Sequence, residues 1–349
     1  MSFRLFFVIL PPNKTLERMI YIALPTEEKR RLPFYLAMEE YIAKHLNTAN
    51  DCFFMWQVRP TVIFGRNQLI AREVNLDYCR KHHIETYRRK SGGGCVYADM
   101  SNIMFSYITR SDQVQTTFSH YIGMIVSMLL KLGVPAETSG RNDILVEGKK
   151  VSGNAFYHTS GHSIVHGTML YDTDMRHMMG AITPSDEKLL SKSVESVRQH
   201  ITLLKSYTAL TLNEFKDFAK VHLCDKTVTL TAEDISCIEQ MEKEYLSEDF
   251  IYGNDPKYTI LRKRRIEHVG ELEIHLELKN NTIRGMNIMG DFFVIGDINT
   301  QIVLPLIGCP LNRDALEKAL PEHLSDIILH LQQRQLIDML LGNEVKQAL

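Results

Sequence analysis

The run Arg88-Arg89-Lys90-Ser91-Gly92-Gly93-Gly94 sets three cations and a hydroxyl ahead of three residues without side chains, and an apolar, strand-like Cys95-Val96-Tyr97 follows. Glycine accepts φ > 0, so successive backbone N–H groups can converge on an anion while neighbouring basic side chains add charge. A phosphate or carboxylate cradle is one reading; a tight turn with solvated arginines is the other. The run fits neither the Walker pattern nor a Gly-x-Gly-x-x-Gly turn that opens a helix. Two further polar knots stand at apolar stretches. Gly65-Arg66-Asn67-Gln68 ends the run Val62-Ile63-Phe64, and Gly140-Arg141-Asn142-Asp143 opens Ile144-Leu145-Val146. Asn142 and Asp143 carry the oxygen donors that orient phosphate or hold a hard cation such as Mg²⁺, and a turn cap is the alternative for Asp143. Glu147-Gly148 then reads as a hairpin turn that projects Lys149 and Lys150 into the next strand. A strand lysine is ordinarily a surface group, and Lys149 fits that description.

The elements that must position these residues follow from periodicity. Phe34, Ala37, Met38, Tyr41, Ile42 and His45 recur at helical spacing across 32–46, and Ile122, Ile125, Val126, Leu129 and Leu130 do so across 121–132, where Gly133 and Pro135 stop the helix. Strands are expected at 20–23, 53–56, 62–64, 102–108, 144–146 and 166–171, and short helices at 75–82, 175–179 and 185–191. A longer helix with an acidic face spans 231–246. Tyr252-Gly253-Asn254-Asp255-Pro256 reads as a linker. Beyond it, 271–278 and 283–289 form a hairpin about Asn280-Asn281, and a helix-rich end runs from 312 to about 347. Arg262-Lys263-Arg264-Arg265 is a basic run, either a solvated face or an attractor of acidic partners. Residues 1–18 are set apart as an N-terminal extension or arm, ahead of a first strand at Met19-Ile20-Tyr21-Ile22.

Composition bounds the partners. A chain of 349 residues with 44% hydrophobic and 23% charged residues is that of an ordinary globular protein with room for two domains. A net charge of −2 gives no overall footprint for nucleic acid or membrane surfaces, so any anion site is local. Six cysteines without a C-x-x-C pair indicate neither a zinc site nor a disulfide framework, which suits a reducing cytoplasm. The apolar run at 5–10 is too short for a signal peptide, and no window of about 18 apolar residues predicts a membrane span.

Taken in order, Trp56…Val62-Ile63-Phe64-Gly65-Arg66-Asn67-Gln68, Arg88-Arg89-x-Ser91-Gly92-Gly93-Gly94-x-Val96, Gly140-Arg141-Asn142-Asp143-Ile144, Lys150-Val151-Ser152-Gly153-Asn154-Ala155 and His166-Gly167-Thr168 resemble the lipoate-protein ligase A family. The resemblance runs from about Met19 to Val197 and more loosely beyond Tyr252-Gly253. It departs at Ala98-Asp99-Met100-Ser101-Asn102, where the family usually reads His-Asp-x-Gly-Asn, and at Tyr35-Leu36-Ala37, where the family has Asn-Leu-Ala.

The resemblance implies an α/β fold of the α+β type, with mixed, largely antiparallel sheets flanked by helices. A catalytic domain of the biotin/lipoate-ligase type is expected over 19–250, and a small α+β accessory domain over 251–349. It implies an enzyme that uses ATP with Mg²⁺ to convert lipoate to lipoyl-AMP, then passes the lipoyl group to a lysine of an acceptor. The expected acceptors are lipoyl domains of 2-oxoacid dehydrogenase E2 subunits and the glycine-cleavage H protein. By the same resemblance, Arg89 and the backbone of Gly94, Cys95, Val96 and Tyr97 take up the nucleotide, and Lys150 meets both ATP and lipoate as the catalytic cation. Ser91, Gly92, Gly93 and His166 join Lys150 on lipoate, and Asn142 and Asp143 remain the phosphate and Mg²⁺ candidates. Trp56, Phe64 and Val165 are expected to line a narrow apolar pocket, although a lone tryptophan is as readily core, and His166 has a buried structural role as its alternative. A same-fold octanoyl or lipoyl transferase, which would need an activated cysteine such as Cys95, and a non-catalytic lipoate-binding module are the competing functions.

Overall fold

The computed structural model describes residues 19–46, 50–68, 70–111, 113–139, 142–182, 200–252 and 260–342. Residues 1–18, the short helix expected at 185–191, Gly140 and Arg141 of the second knot, residues 253–256 of the linker and the end of the chain past 342 lie outside them. The first strands are β1 (Met19–Ala23), β2 (Cys52–Trp56), β3 (Thr61–Phe64), β4 (Glu85–Arg88), β5 (Val96–Ala98) and β6 (Ile103–Thr109). They are followed by β7 (Ala136–Thr138), β8 (Asp143–Val146), β9 (Lys149–Thr159), β10 (His162–Met169) and β11 (Cys224–Thr229). The C-terminal strands are β12 (Ile260–Ile266), β13 (Gly270–Lys279) and β14 (Thr282–Gly290).

Eight strands form one sheet in the order β11-β1-β2-β6-β10-β9-β8-β7. It is antiparallel except where β1 runs parallel to both β11 and β2. A small sheet, β4-β3-β5, lies beside it, and β12-β13-β14 form an antiparallel sheet of their own. Alternation along a strand sends successive side chains to opposite faces. On β6, Ile103, Phe105 and Tyr107 enter one core and Met104 and Ile108 the other. The helices α1 (Leu32–His45) and Ala232–Leu246 belong to the second of these cores, α2 (Val114–Lys131) and Leu212–Leu223 to the first. A third core fills the C-terminal sheet and its helices.

Several elements escaped periodicity. Helix α2 begins seven residues before the expected 121, and Leu212–Leu223 and β11 were not anticipated. Strand β11 is an exposed edge, and apart from Cys224 its side chains face water, so no apolar alternation marks it. The basic run is β12 itself: cross-strand partners on β13 set its register, which hydropathy does not show. The Glu147-Gly148 turn matches expectation, with φ of 53° and 73°, the left-handed pair a two-residue hairpin needs.

The C-terminal sheet is fastened to the glycine run. Gly93 N–H donates to Phe292 O at 3.1 Å, and Gly290 N–H donates to Asn67 O at 2.9 Å. A Cβ on Gly92 would lie 2.3 Å from Phe292 O, so only glycine permits this approach. Phe293 crosses into the core that holds Ile103, Phe105 and Tyr107, stacking on Phe156 at 5.4 Å and meeting Phe118 at 6.3 Å. Full burial of such a ring stabilises by about 1.5–3 kcal/mol.

Glycine demand separates sharply by position. A Cβ on Gly65 would lie 2.0 Å from Gly93 O, backbone that cannot yield, whereas Gly123 in α2 has open space around it. We expect Gly65→Ala to lower stability by about 1–3 kcal/mol through overpacking. Gly123→Ala should raise it by about 1 kcal/mol through helix propensity. Urea midpoints of the two variants against the parent check the pair; equal shifts would refute the packing account of the loop.

Candidate active site

A cavity of about 310 Å³ lies between the glycine run, β8, β9, β10 and the C-terminal sheet. Its apolar lining residues Leu36, Trp56, Ile63, Val96 and Met104 come from α1, β2, β3, β5 and β6, and its polar lining residues Asn142, Asp143, Lys150, Arg265 and Asp291 from β8, β9 and the C-terminal sheet with their adjoining turns. Gly93, Gly94, Cys95, Arg89 and His166 also line it; Ser91, Gly92 and Tyr97 do not. Of the three expected wall residues, only Trp56 stands there. Phe64 lies in the core beneath Arg88, whose guanidinium sits 4.7 Å from the ring centre, and Val165 points into the opposite core. That is a correction, and its reason is strand parity: Val165 and His166 are adjacent on β10 and must face opposite sides.

Neither reading of the consecutive arginines anticipated where they go. Arg88 and Arg89 are 2% and 4% exposed, neither solvated nor projecting freely into the cavity. Arg88 donates from Nε and Nη2 to Ile251 O at 3.0 and 2.9 Å, and from Nη1 to Arg66 O at 2.7 Å and Gln68 O at 2.9 Å. Arg89 donates Nε–H to Ser91 Oγ at 2.9 Å, Nη1–H to Ile63 O at 3.1 Å, and Nη2–H groups to Gly92 O at 2.6 Å and Gly94 O at 2.8 Å. Four of the five N–H donors of that guanidinium therefore hold the loop in shape. Burial lowers both guanidinium pKa values to about 10, which leaves them charged at neutral pH. Lys90 turns away, to Glu40 at 2.7 Å and Glu244 at 2.9 Å.

A buried polar chain continues from the loop. Ser91 Oγ lies 2.7 Å from His166 Nε2, and His166 Nδ1 lies 3.0 and 3.1 Å from the two Glu39 oxygens. Ser106 donates its hydroxyl to Glu39 at 2.5 Å, and Trp56 Nε1–H donates to Ser106 Oγ at 2.8 Å. A carboxylate only accepts, so the arrangement assigns the imidazole proton to Nδ1 and directs the Ser91 hydroxyl to Nε2. Ser91 is buried with its hydroxyl fully engaged, while His166 has an edge on the cavity.

Lys150 is aimed by a strand irregularity. The β8–β9 register shifts after Ile144, so Asp143 faces Gly153 while Leu145 faces Lys150. Lys150 lies across Gly153, where a Cβ would meet its Nζ and Cε at 2.8 Å, and reaches Asp143 Oδ1 at 2.8 Å. The contact is an ion pair not aligned as a hydrogen bond, and the carboxylate oxygen has no other donor. On the other flank Thr202 N–H donates to Lys150 O at 2.9 Å and anchors the strand. Lys149 points to solvent. Asn142 and Asn154 clasp each other, Asn142 Nδ2 donating to Asn154 O at 3.0 Å and Asn154 Nδ2 to Asn142 O at 2.9 Å. Gly167 makes room for the Asn154 amide, which a Cβ would strike at 1.9 Å. Asn154, Thr168 and Asp291 are cavity residues that sequence reasoning gave no role, and Arg265 entered it only within the basic run 262–265, as a solvated face or an attractor of acidic partners.

The departing segment after the loop is also closed locally. Asp99 accepts from Ser101 N at 2.8 Å, from the Thr173 hydroxyl at 2.9 Å and from Asp174 N at 3.0 Å. Ala98 is buried in β5 opposite Thr61.

Comparison with known proteins matches residues 32–223 to the lipoyl protein ligase A/B catalytic domain and residues 255–340 to the bacterial lipoate protein ligase C-terminus. The chain is 36% identical to lipoate--protein ligase 1 of Staphylococcus aureus over 82% of this chain and 90% of that one. It is 34% identical to lipoate-protein ligase LplJ of Bacillus subtilis over 82% of this chain and 89% of that one. In three dimensions it is similar to P. falciparum LipL1, solved in complex with lipoate, with a TM-score of 0.73, 18% identity, and coverage of 93% of this chain and 98% of that one. The last likeness bears on fold alone. By the match of both its domains and by its identity to these relatives, the chain belongs to the lipoate-protein ligase family.

Proposed function

We propose that the protein is an ATP-dependent lipoate-protein ligase. The observation that carries the reading is the cavity itself, in which one apolar flank and one charged flank meet at Lys150 beside an open glycine loop. An acid with an apolar tail and a triphosphate need two such flanks in contact. In the first half-reaction a lipoate carboxylate oxygen forms a bond to the α-phosphorus. The α–β bridging P–O bond breaks, and its electron pair leaves on pyrophosphate. The reactants are both anionic, so a fixed cation and oriented N–H donors lower the barrier. Lys150 is suited to that task because its ammonium is a compact charge on a flexible stem, lying in the cavity but held only by Asp143. In the second half-reaction an acceptor lysine attacks the lipoyl carbonyl and AMP leaves; lipoyl domains of E2 subunits and the H protein are the acceptors we propose.

The backbone from Gly93 to Val96 would carry the nucleotide, with Arg89 acting mainly through the loop it shapes. Leu36, Trp56, Ile63 and Met104 would enclose the lipoyl chain, closed at its polar edge by His166. Among the described residues no group of three or more His, Cys, Asp or Glu gathers as a ready metal centre. Mg²⁺ needs less, since one or two carboxylates and the phosphates suffice, and the Asp143 oxygen without an aligned donor suits it. When bound, Mg²⁺ would neutralise triphosphate charge, with Asp143 as its protein ligand.

A cysteine-dependent acyl transfer on this fold is not favoured. Burial pushes the Cys95 thiol far above its ordinary value, with Glu73 adding to the effect, so the thiolate such a mechanism requires is scarce. No described helix is long and apolar enough to cross a membrane.

Lipoate- and ATP-dependent pyrophosphate release, with and without an apo lipoyl domain, tests the reading; no release under either condition would sink it. Lys150→Ala should reduce adenylate formation by about 10²–10³-fold, while Lys149→Ala leaves it intact, and similar losses would mean the wrong lysine is named. Cys95→Ala should retain activity, and native protein should resist iodoacetamide at neutral pH; activity that vanishes with the thiol would restore the acyltransferase reading.

A further inference from the structure

Counting cations at the cavity gives a deficit. Lys150 is paired with Asp143, and Arg89, buried, has four N–H donors on its own loop. Nucleotide chemistry presents several negative charges, concentrated on the two phosphates that depart. Among the described residues one further cation lines the same cavity, and it comes from the C-terminal sheet: Arg265 on β12.

Register explains why Arg265 is available. Its direct cross-strand neighbour on β13 is Glu271, yet Glu271 pairs diagonally with Lys263 at 2.7 Å. The remaining acidic neighbour, Asp291 Oδ2, stands 3.8 Å from Arg265 Nη1, beyond a good hydrogen bond. Asp291 is itself fixed by the Glu271 backbone N–H. The guanidinium, 67% exposed, is thus oriented at the cavity rim without a tight partner. A planar fork in that state suits bidentate capture of phosphate. The sheet bearing it is held in register with the glycine run by the Gly93–Phe292 and Gly290–Asn67 hydrogen bonds and by Phe293.

We propose that Arg265 binds the β,γ-phosphates of ATP and stabilises the leaving pyrophosphate, so that the C-terminal domain completes the adenylation site. The assignment rests on the ligase reading above. It makes the two half-reactions unequal: Arg265 acts while the α–β P–O bond breaks and has no partner once pyrophosphate has gone. Arg284, exposed on β14 of the same sheet and outside the cavity lining, serves as the control for surface charge.

The test uses the full chain with Arg265→Ala, Arg265→Lys and Arg284→Ala. Arg265→Ala should cut kcat/KM for ATP in lipoate-dependent pyrophosphate release by about 10–100-fold, the loss expected for one hydrogen-bonded contact to a charged group. Arg265→Lys should recover part of it and Arg284→Ala should be silent. Transfer from preformed lipoyl-AMP to an apo lipoyl domain should be unchanged in all three. That second assay also reports on the ligase reading: parent protein inactive in both assays overturns that reading and the Arg265 assignment with it. Parent protein active in both, with Arg265→Ala normal in pyrophosphate release, overturns the assignment alone, as does an equal loss in the transfer step.

Discussion

The whole site depends on a charged guanidinium held inside the protein without a carboxylate partner. Burying an unpaired charge is costly, and the cost is offset only when hydrogen bonds replace the water that is lost. Arg89 meets that demand with Ser91 Oγ and the carbonyls of Ile63, Gly92 and Gly94, so the loop must curl around it for the chain to fold at all. Arg88, one residue earlier and facing the other way, imposes the same demand on Gly65–Gln68 and on Ile251. Two adjacent cations therefore act as two internal templates, one for each loop. Gly65 follows from this, because its Cβ would strike Gly93 O of the neighbouring loop, whereas Gly92 is required by the approach of Phe292 O from the C-terminal sheet.

The buried chain Arg89–Ser91–His166–Glu39–Ser106–Trp56 extends the constraint across the catalytic domain. It joins the loop to β10, α1, β6 and β2, and α1 and β6 also supply Leu36 and Met104 to the apolar lining of the cavity. Each member is satisfied by the next, and removing one would leave a buried donor or acceptor unpaired, at about 1–3 kcal/mol or more for a charged group. Loop shape and pocket wall are for this reason one structural unit. Phe292 and Phe293 couple the C-terminal sheet to the same unit through backbone and ring contacts, which brings Arg265 and Asp291 to the cavity rim.

Much of the catalytic domain was legible in one dimension. The helical spacing in 32–46, the Glu147-Gly148 hairpin and the polar knots at strand ends each reflect local physics: helix period, left-handed turn geometry, and glycine where backbone must approach backbone. Motif order carried the family, which the matches over 32–223 and 255–340 bear out. What failed locally did so for tertiary reasons. Strand β11 is recruited at an exposed edge by pairing with β1, and the basic run on β12 becomes a strand through its partner β13, so neither shows apolar alternation.

The sequence by itself determined which residue types meet: a glycine run with arginines before it, an Asn-Asp pair, a lysine followed three residues later by glycine, and a histidine before glycine. Only the tertiary structure decided what each does with its neighbours. It turned Arg88 and Arg89 inward, because carbonyls of the two loops converge on them from both sides of β4. It laid Lys150 over Gly153 toward Asp143, because a one-residue register shift between β8 and β9 changes which side chains share a face. It brought Arg265 to the cavity that Lys150 lines, because a hydrogen bond between Gly93 and Phe292 brings together residues some two hundred positions apart, a proximity no local pattern encodes.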